Sequence, residues 1–245
     1  HRSLRCGITG KSRSVPLGIS MEQQRQELST ADFGEIVQRV RQSVEFHQIP
    51  SVSDIANLER DPFQILISTV ISLRTKDEVT AAAARRLLVA APSPQHMAGL
   101  PAERIQELIY PAGFYRNKAE NIKKITRIIL EDYDGQVPAS QAALMKLPGV
   151  GLKTANLTLS LGFGLPYICV DIHVHRISNR LGWVRTEKPD DTERELSRVL
   201  PQKYWIEINE LFVRFGQSIC TPVSPWCSKC PLASACPKIG VSRRR

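Results

Sequence analysis

Apolar residues recur at helical spacing along most of the chain. Ile36, Val37, Val40 and Val44 mark one amphipathic helix. Asp61-Pro62 is a helix start, an N-cap acid followed by proline at the first helical position. The run FQILISTVISL behind it is apolar almost all round, so that helix is expected at the centre of a core. Helical spacing also predicts helices over 104–110, 117–133, 140–147, 154–163, 171–181, 191–200 and 205–217. Ala91-Pro-Ser-Pro94, Asp134-Gly135 and Gly164-Leu-Pro166 punctuate them. No alternating segment with turn signals and no internal repeat stands out, so the chain reads as all-α. Residues 1–30 are polar, rich in Ser, Gly and Arg and without periodicity, and are expected to be a disordered basic arm.

Composition adds little to this. With 245 residues, 42% apolar and 23% charged, the chain has the make-up of an ordinary globular protein. No window approaches the ~20 apolar residues of a membrane span, and no secretory leader is visible. The expectation is a monomer without membrane contact, either cytoplasmic and nucleoid-associated or, in a eukaryote, nuclear or mitochondrial. The chain starts on His1, and Met21 reads as a natural start. The net charge of +9 hints at nucleic acid, but its distribution weakens the hint. Arg2, Arg5, Lys11 and Arg13 supply +4 and Arg243-Arg244-Arg245 another +3, leaving +2 for the body. Basic tails of this kind are usually non-specific polyanion binders.

Two short stretches carry chemistry. The first is Cys220-TPVSPW-Cys227-SK-Cys230-PLASA-Cys236, four thiols within 17 residues. A [4Fe–4S] cluster, a zinc ion and two disulfides are all open on spacing alone. The compact, uneven run followed by proline is closest to iron–sulfur ligation. Zinc usually shows two close pairs, and nothing suggests an oxidising compartment. Cys169, in the apolar run YICV, reads as a small buried hydrophobe.

The second is KLPGVGLKTAN, residues 146–156. Gly149 and Gly151 permit backbone torsions that side chains forbid. The N–H groups opening the next helix would face a phosphate, though a plain helix connection fits as well. Lys153 stands where helices prefer acids. It is either a nucleophile, which a lysine is only when deprotonated, or a simple phosphate contact. Eighteen residues on, Asp171 in VDIHVHR is either a helix cap or a carboxylate serving that lysine. Local signals do not separate these readings.

Taken together, LPGVGLKTAN, VDIHVHR and C-x6-C-x2-C-x5-C resemble the endonuclease III family of base-excision DNA glycosylases, the helix-hairpin-helix group with an iron–sulfur cluster. The resemblance covers about residues 32–237. It implies two helical domains with a cleft between them: a six-helix domain over 55–165 carrying the hairpin, and a cluster domain built from 31–54 plus 166–245. It further implies a [4Fe–4S] cluster on Cys220, Cys227, Cys230 and Cys236, structural in role. The implied partner is duplex DNA with a flipped damaged base, and the implied activity is removal of oxidised pyrimidines followed by β-elimination at the abasic site. Lys153 is the implied nucleophile and Asp171 its acid. Gly149, Val150, Gly151, Thr154, Lys118 and His173 are the implied DNA contacts. Related adenine glycosylases carry a small hydroxyl residue at the lysine position and a further recognition domain, for which the nine residues after Cys236 leave no room. Mismatch thymine glycosylases typically have tyrosine there.

Three departures from the family pattern bear on specificity. Arg74 stands where glutamine usually fills the gap left by the flipped base. Phe114 replaces a leucine wedge, and an aromatic there can stack on bases. TPVSPW is neutral where basic residues are common, so DNA contact near the cluster would rest on Lys229 and Lys238. Lys123 and Lys124 are further phosphate candidates. Alternatives are a glycosylase of narrow or altered specificity (mismatched thymine or uracil, or mainly abasic sites) and a non-catalytic damage-binding protein.

Overall fold

The structure, a computed structural model, describes residues 30–245. The expected basic arm therefore lies outside the described residues, apart from Thr30. Twelve α-helices follow one another there, and the described residues contain no strand. They are α1 (Thr30–Val44), α2 (Ser51–Glu59), α3 (Pro62–Ser72), α4 (Asp77–Ala90), α5 (Pro94–Gly99), α6 (Ala102–Ile109), α7 (Tyr115–Asp132), α8 (Gln141–Leu144), α9 (Leu152–Leu157), α10 (Ile172–Arg180), α11 (Pro189–Val199) and α12 (Ile208–Ser218). None is long and apolar enough to cross a membrane.

Local chemistry sets the helix starts. The Asp61 carboxylate accepts from the N–H groups of Phe63 (2.7 Å) and Gln64 (3.1 Å), and Pro62 occupies the first turn of α3. That satisfies donors the helix itself cannot. α3 is buried nearly all round, from Phe63 through Ile71. Each such aliphatic side chain contributes roughly 1.5–3 kcal/mol by leaving water.

Burial divides into two clusters. One joins Leu66, Ile67 and Ile71 of α3 to Leu87 of α4, Ile105 of α6, Ile122 and Ile125 of α7, and Ala155 of α9. The other joins Val37 and Val40 of α1 to Val174 and Ile177 of α10, Leu196 of α11 and Phe212 and Phe215 of α12. Trp183 stacks at 4.8 Å on Phe33 and at 5.5 Å on Phe212, tying α1 to α12. A small third group, Val52, Ala56, Ile65, Leu157 and Cys169, joins α2 and α3 to the 167–170 segment.

Three helices, α2, α4 and α5, go beyond the spacing-based expectation. α4 carries the run Ala81-Ala-Ala-Ala84, which favours helix through propensity rather than periodicity. Conversely, the helix expected over 140–147 shrinks to four residues before the turn. α9 passes into a wider π turn over Thr158–Gly162, a local feature frequent near functional sites.

Candidate active site

The turn between α8 and α9 depends on glycine. Gly149 has φ +77°, and a Cβ there would lie 2.6 Å from Asn121 Nδ2. Gly151 opens α9 without any side-chain cap, so the first N–H groups of that helix point outward. The expected contacts need correction here. Val150 and Thr154 are only 7% and 1% exposed as whole residues, and Val150 packs into the α3–α9 core. Gly151 is exposed.

Lys153 lies in the first turn of α9, half-buried, with no hydrogen bond or ion pair to its Nζ among the described residues. Asp171 is 9% exposed. Its Oδ1 accepts from the N–H groups of His173 and Val174, each at 2.9 Å, and so caps α10. Oδ2 has no partner among the described residues, which leaves half the carboxylate available there. The two residues form no ion pair within 4 Å, yet both charges act on the same neighbours. Burial lowers the His173 pKa, Asp171 opposes this, and Arg176 and Lys153 add to it. Burial pushes the Cys169 thiol up to about 12, with Lys153 pulling down and Asp171 pushing up. Cys169 Sγ lies 3.7 Å from the Lys153 carbonyl, and the residue is buried as the sequence suggests.

Three residues that the sequence reading passed over hold Asp171 in place. Asn156 Nδ2 donates to the Ile168 carbonyl (2.8 Å), and Asn209 Nδ2 to the Cys169 carbonyl (3.1 Å). Gln141 Nε2 donates to Asn156 Oδ1 at 2.6 Å. The extended 167–170 segment has no ladder partner, so these amides satisfy its buried carbonyls. A buried amide inside an apolar helix face was the signal for Asn156 and Asn209.

A second group forms at the ends of α3 and α7. Arg74 and Phe114 both have positive φ, +53° and +57°, and both are exposed, Phe114 by 61%. The Arg74 guanidinium lies over the Phe114 ring at 5.6 Å. Lys118 does not reach outward as expected. It is 6% exposed, and its Nζ donates to the carbonyls of Ile71 and Leu73 (2.6 Å each) and to Thr75 Oγ1 (2.7 Å). Its amine caps the carbonyl end of α3 instead of meeting a phosphate. Lys123 likewise is spent on the Ala98 and Leu100 carbonyls at the end of α5.

The four cysteines, all free, line one cavity together with Ile177, Leu181, Phe215 and Leu232. Their sulfurs attract donors: Arg180 to Cys220 Sγ (3.3 Å), and the N–H groups of Leu232 and Lys238 to Cys230 and Cys236 (3.4 Å each). Burial, with the other three thiols adding to it, pushes Cys230 up to about 11. Among the described residues, no three His, Cys, Asp or Glu side chains are gathered tightly enough to hold a single metal ion. Lys238 Nζ is used on the Ala233 and Cys236 carbonyls. Arg176 links this region to the site, bonding His173 Nδ1 (3.1 Å) and the Cys220 carbonyl (3.0 Å).

Residues 67–202, more than half of the chain, match the HhH-GPD superfamily of base excision DNA repair proteins. Endonuclease III of Thermotoga maritima is 50% identical over 178 residues, covering 73% of this chain and 84% of that one. The chain belongs to the endonuclease III family. It spans about half the length of some eukaryotic homologues it also matches. Two solved structures, a non-covalent endonuclease III–DNA complex and a trapped endonuclease III–DNA covalent intermediate, align with TM-scores of 0.75 at 32% identity. Each covers 86% of this chain, and the alignments cover 96% and 97% of those chains. Family membership agrees with the all-α architecture.

Proposed function

We propose that this chain is a base-excision DNA glycosylase with abasic-site lyase activity, Lys153 being its nucleophile and Asp171 its acid–base partner. The observation that carries the reading is the nearness of a lysine amine without a partner, and of a buried carboxylate with one free oxygen, among the described residues. They lie on two different helix starts, brought together where Cys169, two residues before Asp171, sets its Sγ 3.7 Å from the Lys153 carbonyl. The trapped covalent complex of a relative supports a covalent step. The two clusters of buried residues support two lobes, approximately 55–165 and 31–54 plus 166–245, with the site at the cleft between them.

The chemistry then follows from these groups. The damaged nucleotide leaves the stack at a cost of a few kcal/mol, least for a poorly stacked base such as an oxidised pyrimidine. The Lys153 amine, relieved of a proton by Asp171 Oδ2, attacks C1′. The N–C1′ bond forms as the glycosidic bond breaks, and the base leaves with the bonding pair. The C1′–O4′ bond then opens as a proton passes from the nitrogen to O4′, giving a protonated imine. Loss of a C2′ proton then breaks the C3′–O bond and cuts the strand. Asp171 also stabilises the positive charge that builds on the sugar, and its cap bonds hold it in position.

A [4Fe–4S] cluster fits the four cysteines. A cluster keeps its thiolates apart on separate irons, whereas one zinc draws four sulfurs to about 2.3 Å from a single ion. One shared apolar cavity lined by all four cysteines supports the former. When bound, it supplies a structural anchor for the C-terminal segment, and N–H donors from Arg180, Leu232 and Lys238 offset thiolate charge.

The test is borohydride trapping on a duplex containing thymine glycol. Wild type is expected to form a covalent adduct at Lys153 and to nick the strand. Trapping by Lys153→Gln at the wild-type rate would overturn the assignment.

A further inference from the structure

The sequence invites reading Arg243–Arg245 as a loose basic tail, but the structure folds it onto the loop that joins the first two cluster cysteines. The Arg245 guanidinium lies 3.8 Å above the Trp226 ring, a close cation–π contact. The backbones pair in both directions: Arg245 N–H to the Pro225 carbonyl (2.8 Å) and Ser228 N–H to the Arg245 carbonyl (2.9 Å). Arg245 Nε adds a bond to the Ser224 carbonyl (3.0 Å). Lys229 Nζ stands 5.3 Å from the same indole.

Holding two cations at one ring beside two further arginines is electrostatically unfavourable unless an anion is expected. Arg243 and Arg244 are exposed, with no ion-pair partner among the described residues. No Asp or Glu follows Glu210 in the sequence, whereas Arg214, Lys229, Lys238 and the three terminal arginines do. The loop itself, TPVSPW, carries no charge. The loop therefore borrows its positive charge from a distant part of the chain. Through Cys220, whose carbonyl Arg176 grips while also bonding His173, the patch is tied to the turn that carries Asp171.

We infer that Arg243 and Arg244, docked by Arg245 on Trp226, form a fixed contact surface for the phosphate backbone of duplex DNA. Such contacts add affinity and register without reading bases. The inference rests on the DNA-processing reading above.

Binding to a lesion duplex and to the undamaged duplex, measured across a salt series, tests it. Each lost phosphate contact reduces the slope of log K against log salt by about 0.9. Arg243→Ala/Arg244→Ala should therefore flatten the slope by about 1.8 and weaken both duplexes alike. Adding Val223→Arg, beside the docked tail and 76% exposed, should restore most of the slope. Val89→Arg, 80% exposed on α4, should not. An unchanged slope in the double variant, or equal rescue from both positions, would overturn the proposal, the latter because any added charge would then serve. If wild type itself neither binds nor nicks damaged duplex, the underlying functional reading fails instead.

Discussion

Replacing Lys118 by Met probes how the Arg74 and Phe114 turns are built. The side chain keeps its length and apolar stem but loses the amine that serves the Ile71 and Leu73 carbonyls and Thr75 Oγ1. A hydrogen bond from a charged donor contributes about 1.5–3 kcal/mol, and a buried acceptor left unpaired costs about 1–3 kcal/mol. These contributions overlap, and the amine's own burial cost is relieved, so a net loss of about 3 kcal/mol is expected. For a chain of this size that lowers Tm by about 6–12 °C. The sign of the pH dependence follows from the amine. Burial pushes Lys118 from 10.5 down to about 8. Between those values the unfolded chain holds more protons at this position than the fold, so wild-type stability gains from this group as pH rises through 8 toward 10.5. The gap between wild type and Lys118→Met should accordingly widen over pH 8–10, by at most about 1.4 kcal/mol per unit. The same clamp ties the Arg74 turn to the Phe114 turn, since Thr75 Oγ1 also accepts from Gly113 N–H at 3.0 Å. Excision from duplex should fall with a raised KM, while borohydride trapping on a single-stranded abasic oligonucleotide, which has no opposite strand to wedge, should persist. A Tm within 2 °C of wild type, or equal losses on duplex and single strand, would refute this reasoning.

Other outcomes follow from the same geometry. Asp171→Asn retains an oxygen for the α10 cap and should fold with Tm nearly unchanged while excision falls about 10²–10⁴-fold. Asp171→Ala should lose about 1 kcal/mol of stability besides, read by thermal melting. Gly149→Ala meets both an unfavourable φ and Asn121, so it should cost about 1–3 kcal/mol and weaken binding to damaged and undamaged duplex equally in a titration. Cys230→Ser should lose iron, measured by metal analysis and visible absorbance, whereas Cys169→Ala, outside the cysteine cavity, should keep it.

Much of this protein can be read along the chain because the relevant signals are short-ranged. Asp61-Pro62 sets a helix start through contacts two and three residues away, and it does so in the structure. The apolar run after it fixes a central helix, and the compact run of four cysteines brings all four to one cavity. LPGVG and its lysine likewise define their turn locally. What the sequence left undecided depends on distant partners. Asp171 had two competing roles, cap or catalyst. The fold uses Oδ1 for the cap and, among the described residues, gives Oδ2 no partner, so capping does not preclude the second role. Lys118 had the look of a phosphate contact until α3 brought two carbonyls to its amine across more than 40 residues of chain. Arg245 had the look of a loose tail until Trp226 met it. A charged side chain's partner is chosen by whichever acceptor or ring the packing of the rest of the chain delivers within about 3–6 Å. Spacing along the sequence cannot encode that choice, and only the tertiary arrangement makes it.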